Sequence, residues 1–272
     1  MLRSTIVAAV WTALVASTPA WSATVDGINI NWTSTGNGAQ AVIFVHGWTC
    51  DSTSWQYQVP AISQQYRVIA LDLPGHGKSE SPKDGRFPME LFARAVEAVR
   101  SEAEIDKAVL VGHSMGTPVV RQYALMYPER VAGLVLVDGL VQLAGTAPVA
   151  RPRMVGPEGQ KMREGMARGM ASTATPEVQD QIVRMMLATS EATADGAMVA
   201  TWDQSSWTND VVSVPVLGVY AGMSAVANPE GLKRLYSQLD YHVIHGTGHF
   251  LMMEKPQEFN RLLSDFLAKL EY

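Results

Sequence analysis

Short, continuously apolar segments recur along this chain, separated by stretches with helical spacing. The clearest is residues 41–45, Ala-Val-Ile-Phe-Val, which is rich in β-branched residues. A run of this length without polar alternation is typical of a strand covered on both faces. Such strands alternating with amphipathic helices predict βαβ units, and therefore an α/β fold with a mostly parallel central sheet flanked by helices. The predicted strands are residues 41–45, 66–71, 108–111, 134–137, 214–220 and 241–244, and the predicted helices are 87–103, 115–127, 229–238 and 256–270.

Two regions depart from this rhythm. Residues 25–32, followed by a turn-rich segment, are predicted to add an antiparallel hairpin at the sheet edge. Residues 140–210 contain helical spacing, many methionines and no strand-like run, so we expect a helical cap inserted between a core of residues 23–139 and 211–272. Methionine side chains adapt to varied apolar ligands, and they also serve as ordinary packing residues of helices. Both roles are open for the cap methionines, with packing the more common one.

The N-terminus has the pattern of a signal peptide. Arg3 precedes an apolar stretch, and Ala20 and Ser22 place small residues at −3 and −1 of a cleavage point before Ala23. The apolar stretch is too short for a membrane span, which needs about 20 residues. The sequence therefore predicts removal of residues 1–22, a secreted or periplasmic protein, and no stable membrane insertion after cleavage.

The net charge limits the classes of partner, and the cysteine content excludes a disulfide within the chain. The formal net charge is −5, with no run of Lys and Arg, so no nucleic-acid partner is expected. Cys50 is the only cysteine and forms no disulfide within the chain. A lone cysteine of this kind is more often a small buried apolar residue than a reactive thiol.

The segment Gly112-His113-Ser114-Met115-Gly116 carries the strongest chemical signal. It follows a predicted buried strand and opens a predicted helix, which is the setting of a nucleophilic serine on a sharp turn. The flanking glycines relieve crowding there, and the helix N-terminus favours developing negative charge. A serine hydroxyl needs a base to take its proton. Of the six histidines, His249 is the best candidate, because it follows the last predicted strand and precedes the last helix.

These motifs resemble the α/β-hydrolase family. The matching segments occur in the family's order and cover nearly all of the chain after about residue 28 except the cap; they are Phe-Val-His-Gly-Trp at 44–48, Asp-Leu-Pro-Gly-His-Gly-Lys-Ser at 72–79, Gly-His-Ser-Met-Gly at 112–116, Tyr-Pro-Glu-Arg-Val at 127–131 and Gly-His at 248–249. The resemblance implies an oxyanion hole formed by the backbone amides of Trp48 and Met115. It gives Asp72 a structural role in a turn. It implies no metal and no organic cofactor.

One element of the family pattern is missing. The acidic residue usually follows the strand after the cap, but Ala225 stands at that position, and no Asp or Glu occurs between Val211 and Pro229. Either Asp138, at the end of the preceding strand, supplies the carboxylate, or the triad is incomplete. An aspartate at a strand's carboxyl end can hold the imidazole tautomer, and it can equally cap a turn. Asp203, Asp210 and Asp240 are weaker candidates.

Three functions are compatible with these residues. The leading hypothesis is hydrolysis of a carboxylic ester, or of a lactone or thioester, through an acyl-enzyme on Ser114. A second hypothesis keeps the nucleophile but cleaves an amide or a carbon–carbon bond. A third is a low-turnover protein that binds small molecules, which the absence of an acid at Ala225 would favour. In each case the partner is a small molecule, and the apolar cap favours one with an apolar group. Serine at position 114 argues against the family branches that use an aspartate nucleophile.

Overall fold

A computed structural model describes residues 21–141, 143–145, 151 and 153–272. Within them the chain forms one eight-stranded sheet with the order β1-β2-β4-β3-β5-β6-β7-β8. The strands are β1 Trp21–Val25, β2 Ile28–Thr35, β3 Ala41–Val45, β4 Arg67–Leu71, β5 Ala108–His113, β6 Val131–Val137, β7 Val212–Ala221 and β8 Tyr236–Ile244. The pairings from β4 through β8 are parallel, and those of β1 with β2 and of β2 with β4 are antiparallel. The predicted α/β class is confirmed.

The central strands are buried over their whole length because helices cover both faces of a parallel sheet. Every residue of β3 and β5 is buried. The helices are α1 Val59–Ile62, α2 Met89–Glu102, α3 Gly116–Met126, α4 Gly156–Met170, α5 Pro176–Ala188, α6 Glu191–Trp202, α7 Pro229–Leu235, α8 Leu251–Glu254 and α9 Pro256–Leu267. Each of these helices in the described part of the chain is too short or too polar to cross a bilayer.

The edge hairpin forms between β1 and β2. Its turn is Asp26-Gly27, with φ angles of 50° and 76°, the left-handed values that suit a two-residue hairpin connection. The predicted turn-rich segment after β2 instead leads from the hairpin to β3. The predicted signal peptide lies outside the described residues except for Trp21 and Ser22, which begin β1.

The last part of the sheet differs from the sequence prediction. The helix expected over residues 229–238 ends at Leu235, and β8 begins at Tyr236. The segment Ser-Gln-Leu-Asp at 237–240 can be mostly polar because β8 is partly exposed and pairs only with β7 among the described strands. Its residues therefore lack the apolar run that marks the central strands.

Three helices, α4, α5 and α6, lie between β6 and β7, and we call them the cap helices. They contact the core through specific bonds: the Trp48 indole N–H donates to the Ala194 carbonyl at 2.8 Å, and the Thr189 hydroxyl donates to the Thr49 carbonyl at 3.0 Å. Four of the methionines in this region are buried by packing: Met154, Met185, Met186 and Met198. The proposed division into core and cap at residues 140 and 210 stays a prediction.

Candidate active site

Ser114 lies in the sharp turn between β5 and α3, with a φ of 53°. A left-handed backbone costs a non-glycine residue about 1–3 kcal/mol. Glycine is required on both sides: a Cβ at Gly112 would lie 2.3 Å from the Gly116 carbonyl oxygen, and one at Gly116 would lie 2.5 Å from that of Val45. The Ser114 amide donates to the Val137 carbonyl at 2.9 Å, which ties the turn to the end of β6.

His249 lies in the loop between β8 and α8 and contacts two of the predicted site residues. Its Nε2 is 2.8 Å from Ser114 Oγ, and its Nδ1 is 2.7 Å from Asp138 Oδ2. An ionised carboxylate only accepts hydrogen bonds, so Nδ1 carries the ring proton and donates it to Asp138. Nε2 then presents its lone pair to the serine hydroxyl, as a base must.

Asp138 follows β6 with a φ of 42° and is 1% exposed. Its Oδ1 accepts the Ala221 amide at 3.1 Å. Burial by itself raises the pKa of this carboxyl, but hydrogen bonds from His249, Ser224 and the Ala221 amide outweigh that effect and leave the pKa below its ordinary value. The group is therefore a carboxylate at neutral pH.

The turn after β7, where the family pattern usually has the acid, makes backbone hydrogen bonds instead. The amides of Gly222 and Met223 donate to the carbonyls of Ile244 and Thr247, and Ala225 is exposed. Of the two explanations that the sequence left open, the geometry favours Asp138, because its carboxylate lies within hydrogen-bond distance of the imidazole.

The weaker acidic candidates make other contacts. Asp203 accepts from the Ser205 amide, and Asp240 lies 2.8 Å from His242. The Asp210 carbonyl accepts from Arg121 at 2.7 Å. None of these three side chains has a described hydrogen bond to His249.

The two predicted oxyanion-hole amides belong to segments that meet at Ser114. A Cβ at Gly47 would lie 3.0 Å from Ser114 Cβ, so the backbone leading into Trp48 runs directly beside the nucleophile. Met115 follows Ser114 and caps α3. Neither the Trp48 nor the Met115 amide donates a hydrogen bond to a described residue. His46 holds the Gly47 end of this loop, since its Nδ1 donates to the Gly47 carbonyl at 2.8 Å while its Nε2 accepts the Leu73 amide.

Three further histidines near the site are buried and uncharged. Burial lowers the pKa of His46, and it lowers the pKa of His76 and of His113 to about 3. Asp72 has the structural contacts expected of it, because its carboxylate accepts the amides of Ser52 and Lys78 and so holds two loops together.

The space above Ser114 is small. A cavity of about 20 Å³ is lined by core residues and by two residues of the cap helices, Met170 and Met186. This is about the room that one water molecule needs. A larger groove of about 1170 Å³ lies between the β1–β2 turn, residues 80–91 and α6, and its lining does not include Ser114, Asp138 or His249.

Cys50 also lines the small cavity, with its sulfur 3.4 Å from the Trp48 carbonyl oxygen. Burial raises the pKa of its thiol far above the ordinary value, so the residue stays protonated and is a poor nucleophile. Across the described ranges, no three His, Cys, Asp or Glu side chains converge as metal ligands would.

Sequence reasoning did not single out several residues of this site. In the sequence, Met170 and Met186 are distinguished only as members of a methionine-rich segment. Ser224 and Glu254 belong to none of the motifs, although the Glu254 carboxylate accepts the amide of Gly248, next to the candidate base. The sequence carries no signal for the contact of Glu254 with Thr173, because the two residues are 81 positions apart and neither belongs to a motif.

Comparison with known proteins gives relatives along most of the chain. A dihydrolipoyllysine-residue acetyltransferase component of an acetoin-cleaving system from Cupriavidus necator is 40% identical over 116 residues, which are 43% of this chain and 31% of the relative's length. A 2-hydroxy-6-oxononadienedioate/2-hydroxy-6-oxononatrienedioate hydrolase from Paraburkholderia phymatum is 28% identical over 269 residues, covering 89% of this chain and 92% of the relative. The solved structure of a thermophilic esterase from Thermogutta terrifontis has a TM-score of 0.77 and 25% identity, covering 93% of this chain and 99% of that one.

The family model described as the alpha/beta hydrolase fold matches residues 40–256. The hydrolase and esterase relatives support an enzyme with hydrolase activity. The family match and the topology of the sheet lead to the same conclusion: this chain belongs to the α/β-hydrolase fold family.

Proposed function

We propose that this protein is a serine-dependent hydrolase of carboxylic esters, with lactones and thioesters as close variants, that works through an acyl-enzyme. The observation that carries the proposal is the continuous hydrogen-bonded chain from Asp138 through His249 to Ser114, at 2.7 and 2.8 Å. Nothing in packing alone requires a buried carboxylate, an imidazole and a strained serine to meet at one end of the sheet.

In the proposed mechanism, Ser114 attacks the acyl carbon while His249 takes the hydroxyl proton through Nε2. Asp138 holds the productive tautomer and stabilises the imidazolium that forms. The amides of Trp48 and Met115 stabilise the oxyanion of the tetrahedral intermediate, and losing one such donor typically lowers the rate about 100- to 1000-fold. His249 then returns the proton to the leaving alcohol and activates the water that cleaves the acyl-enzyme.

The substrate is proposed to carry an apolar group. Trp48, Phe250 and two methionines line the space above Ser114. Because that space holds about one water molecule, Met170 and Met186 or the cap helices that carry them have to move for an acyl group to enter.

Covalent labelling with a fluorophosphonate tests the activated serine without knowledge of the natural substrate. Intact mass and peptide mapping should place one adduct on Ser114. The adduct should be absent from Ser114→Ala and nearly absent from His249→Ala, and both variants should remain folded. Failure of the folded wild type to react would favour the binding protein over the enzyme.

Carbon–carbon bond hydrolysis is the second candidate. The Paraburkholderia phymatum relative, which aligns over most of both chains, is named for the hydrolysis of an oxo-dienedioate, a compound without an ester bond. A panel of p-nitrophenyl esters and a vinylogous 1,5-diketone, each assayed with wild type and Ser114→Ala, separates the two. Ester turnover that needs Ser114, without diketone turnover, supports the esterase; the reverse result supports the second candidate.

We also propose export with cleavage before Ala23. N-terminal sequencing of the protein from the periplasmic and extracellular fractions tests this. A mature start at Ala23 supports export, and an uncleaved chain confined to the cytoplasm contradicts it.

A further inference from the structure

Glu254 joins the loop of the candidate base to the cap region. Its carboxylate accepts the Gly248 amide at 3.1 and 3.2 Å, and it accepts the Thr173 hydroxyl at 2.6 Å. Gly248 directly precedes His249, whereas Thr173 lies in the connection between α4 and α5. One carboxylate therefore contacts two residues that are distant in sequence, and the nearby residues His249 and Met170 both line the cavity above Ser114.

The contact between these two segments is close. A Cβ at Gly248 would lie 2.5 Å from Thr173 Oγ1 and 3.3 Å from the Met170 carbonyl oxygen. Met170 itself lines the cavity at Ser114. A movement of the α4–α5 connection that admits substrate would consequently disturb the Thr173–Glu254 bond.

The backbone of His249 makes a second hydrogen bond, to His113. Its carbonyl accepts Nε2–H of His113 at 2.8 Å, and His113 is fully buried. The Gly248 N–H and the His249 C=O are thus both hydrogen-bonded, which restrains the backbone that carries the imidazole. Among the described residues, only the first of these two bonds is linked to the cap region, because its acceptor, Glu254, also accepts the Thr173 hydroxyl.

We propose that Glu254 is a positioning residue for His249, and that its bond to Thr173 makes correct placement of this base depend on closure of the cap. The inference rests on the proposed function, in which His249 acts as the base. A displacement of about 1 Å in a reacting group can lower a rate about 100-fold, so a modest shift of the loop has a large effect. Substrate entry weakens the contact between Thr173 and Glu254, and closure of the cap over the bound substrate restores the alignment of His249 with Ser114.

Four substitutions separate this role from a general structural one. Glu254→Met keeps the length of the side chain and removes both bonds. Glu254→Gln keeps an acceptor for the Gly248 amide and offers its NH2 group to the Thr173 oxygen. Thr173→Val removes only the cap bond, and Thr173→Ser keeps it. Glu102→Met, at an exposed position at the end of α2, is the matched control.

With a p-nitrophenyl ester as the probe, we expect Glu254→Met to lower kcat about 10- to 100-fold with KM changed less than about threefold. Glu254→Gln and Thr173→Ser should stay within about threefold of wild type, Thr173→Val should lie between, and Glu102→Met should have no effect. Wild-type kcat in Glu254→Met, or an equal loss in Glu254→Gln and Glu254→Met, would overturn the proposal. Circular dichroism and Tm establish that each variant is folded.

A spectroscopic readout keeps the test independent of turnover. The proton between His249 Nδ1 and Asp138 should give a strongly deshielded NMR signal, identified by its loss in His249→Ala. The signal should persist in wild type and Glu254→Gln and weaken or disappear in folded Glu254→Met. Persistence at full intensity in Glu254→Met would refute the positioning role even if no ester is hydrolysed. Failure of Ser114 to react with the fluorophosphonate in wild type would instead count against the proposed function.

Discussion

Replacing Asp138 by asparagine keeps the shape of the side chain and removes one acceptor. In the native protein the two carboxylate oxygens accept the Ala221 amide at 3.1 Å and His249 Nδ1 at 2.7 Å. A carboxamide has only one oxygen for these two donors and for the Ser224 hydroxyl, which also hydrogen-bonds to the native carboxylate. If that oxygen faces Ala221, the NH2 group faces Nδ1, which must then be unprotonated. The ring proton moves to Nε2 and points at Ser114 Oγ, so His249 cannot accept the serine proton.

The opposite orientation of the amide sets a lower bound on the loss of rate expected for Asp138→Asn. With its oxygen toward His249, the NH2 group would meet the Ala221 N–H in a pocket where residue 138 is 1% exposed. An unsatisfied buried donor costs about 1–3 kcal/mol, which limits the productive orientation to a minor fraction and lowers the rate at least about fivefold. Loss of the tautomer and of the negative charge beside the imidazolium brings the expected reduction in kcat to about 10,000-fold, or about 5.4 kcal/mol of activation free energy.

The assay compares kcat for p-nitrophenyl acetate and the rate constant for fluorophosphonate labelling in wild type and Asp138→Asn. Asp240→Asn is the matched control, because Asp240 also pairs with a histidine, His242 at 2.8 Å, but on a partly exposed surface. It should leave both rates unchanged. A folded Asp138→Asn protein that retains more than about one fifth of the wild-type rate would refute the reasoning, since even the orientation preference predicts a larger loss.

Three further substitutions test other parts of the site. Gly47→Ala places a Cβ 3.0 Å from Ser114 Cβ, and we expect the displaced Trp48 amide to lower kcat about 100- to 1000-fold; an unchanged kcat would contradict the role of this loop. Met170→Ala enlarges the cavity at Ser114, so kcat/KM for an octanoate ester relative to an acetate ester should rise, and an unaltered ratio would show that this side chain does not limit acyl length. Burial lowers the pKa of His76 from 6.5 to about 3, so between these pH values the unfolded chain binds one proton more and stability falls as pH falls. His76→Phe should therefore reduce the slope of the unfolding free energy against pH in this window by up to about 1.4 kcal/mol per unit, whereas equal slopes would contradict a buried neutral His76.

The features that sequence predicts well here are those encoded locally. The turn at Ser114 needs a strand before it, a helix after it and glycines at 112 and 116, and all of these lie within about twenty consecutive residues. The close approaches of the built Cβ atoms give the physical reason for the pattern. The central strands are equally clear, because burial on both faces requires an uninterrupted apolar run.

The features that sequence does not predict depend on distant segments. The start of β8 at Tyr236 is decided by pairing with β7, and its polar residues are tolerated because that end of the sheet is partly exposed. The contact of Glu254 with Thr173 joins segments 81 residues apart, and neither residue belongs to a pattern. The small volume above Ser114 likewise depends on how the cap helices dock, which no local periodicity specifies.

The placement of the acid follows from the geometry of parallel strands. β5, β6 and β7 are adjacent, and their carboxyl ends lie at one edge of the sheet, with Val137 level with Val219. A carboxylate that leaves β6 and one that leaves β7 therefore start from neighbouring points and can approach the same histidine. In this chain the last residue of β7 supplies a backbone donor, the Ala221 amide, whereas the family more often has the acid itself in the turn beyond that strand. That amide orients the Asp138 carboxylate and contributes to lowering its pKa, so the ends of both strands contact the proposed acid, and the proposed hydrogen-bonded chain does not need a carboxylate at Ala225.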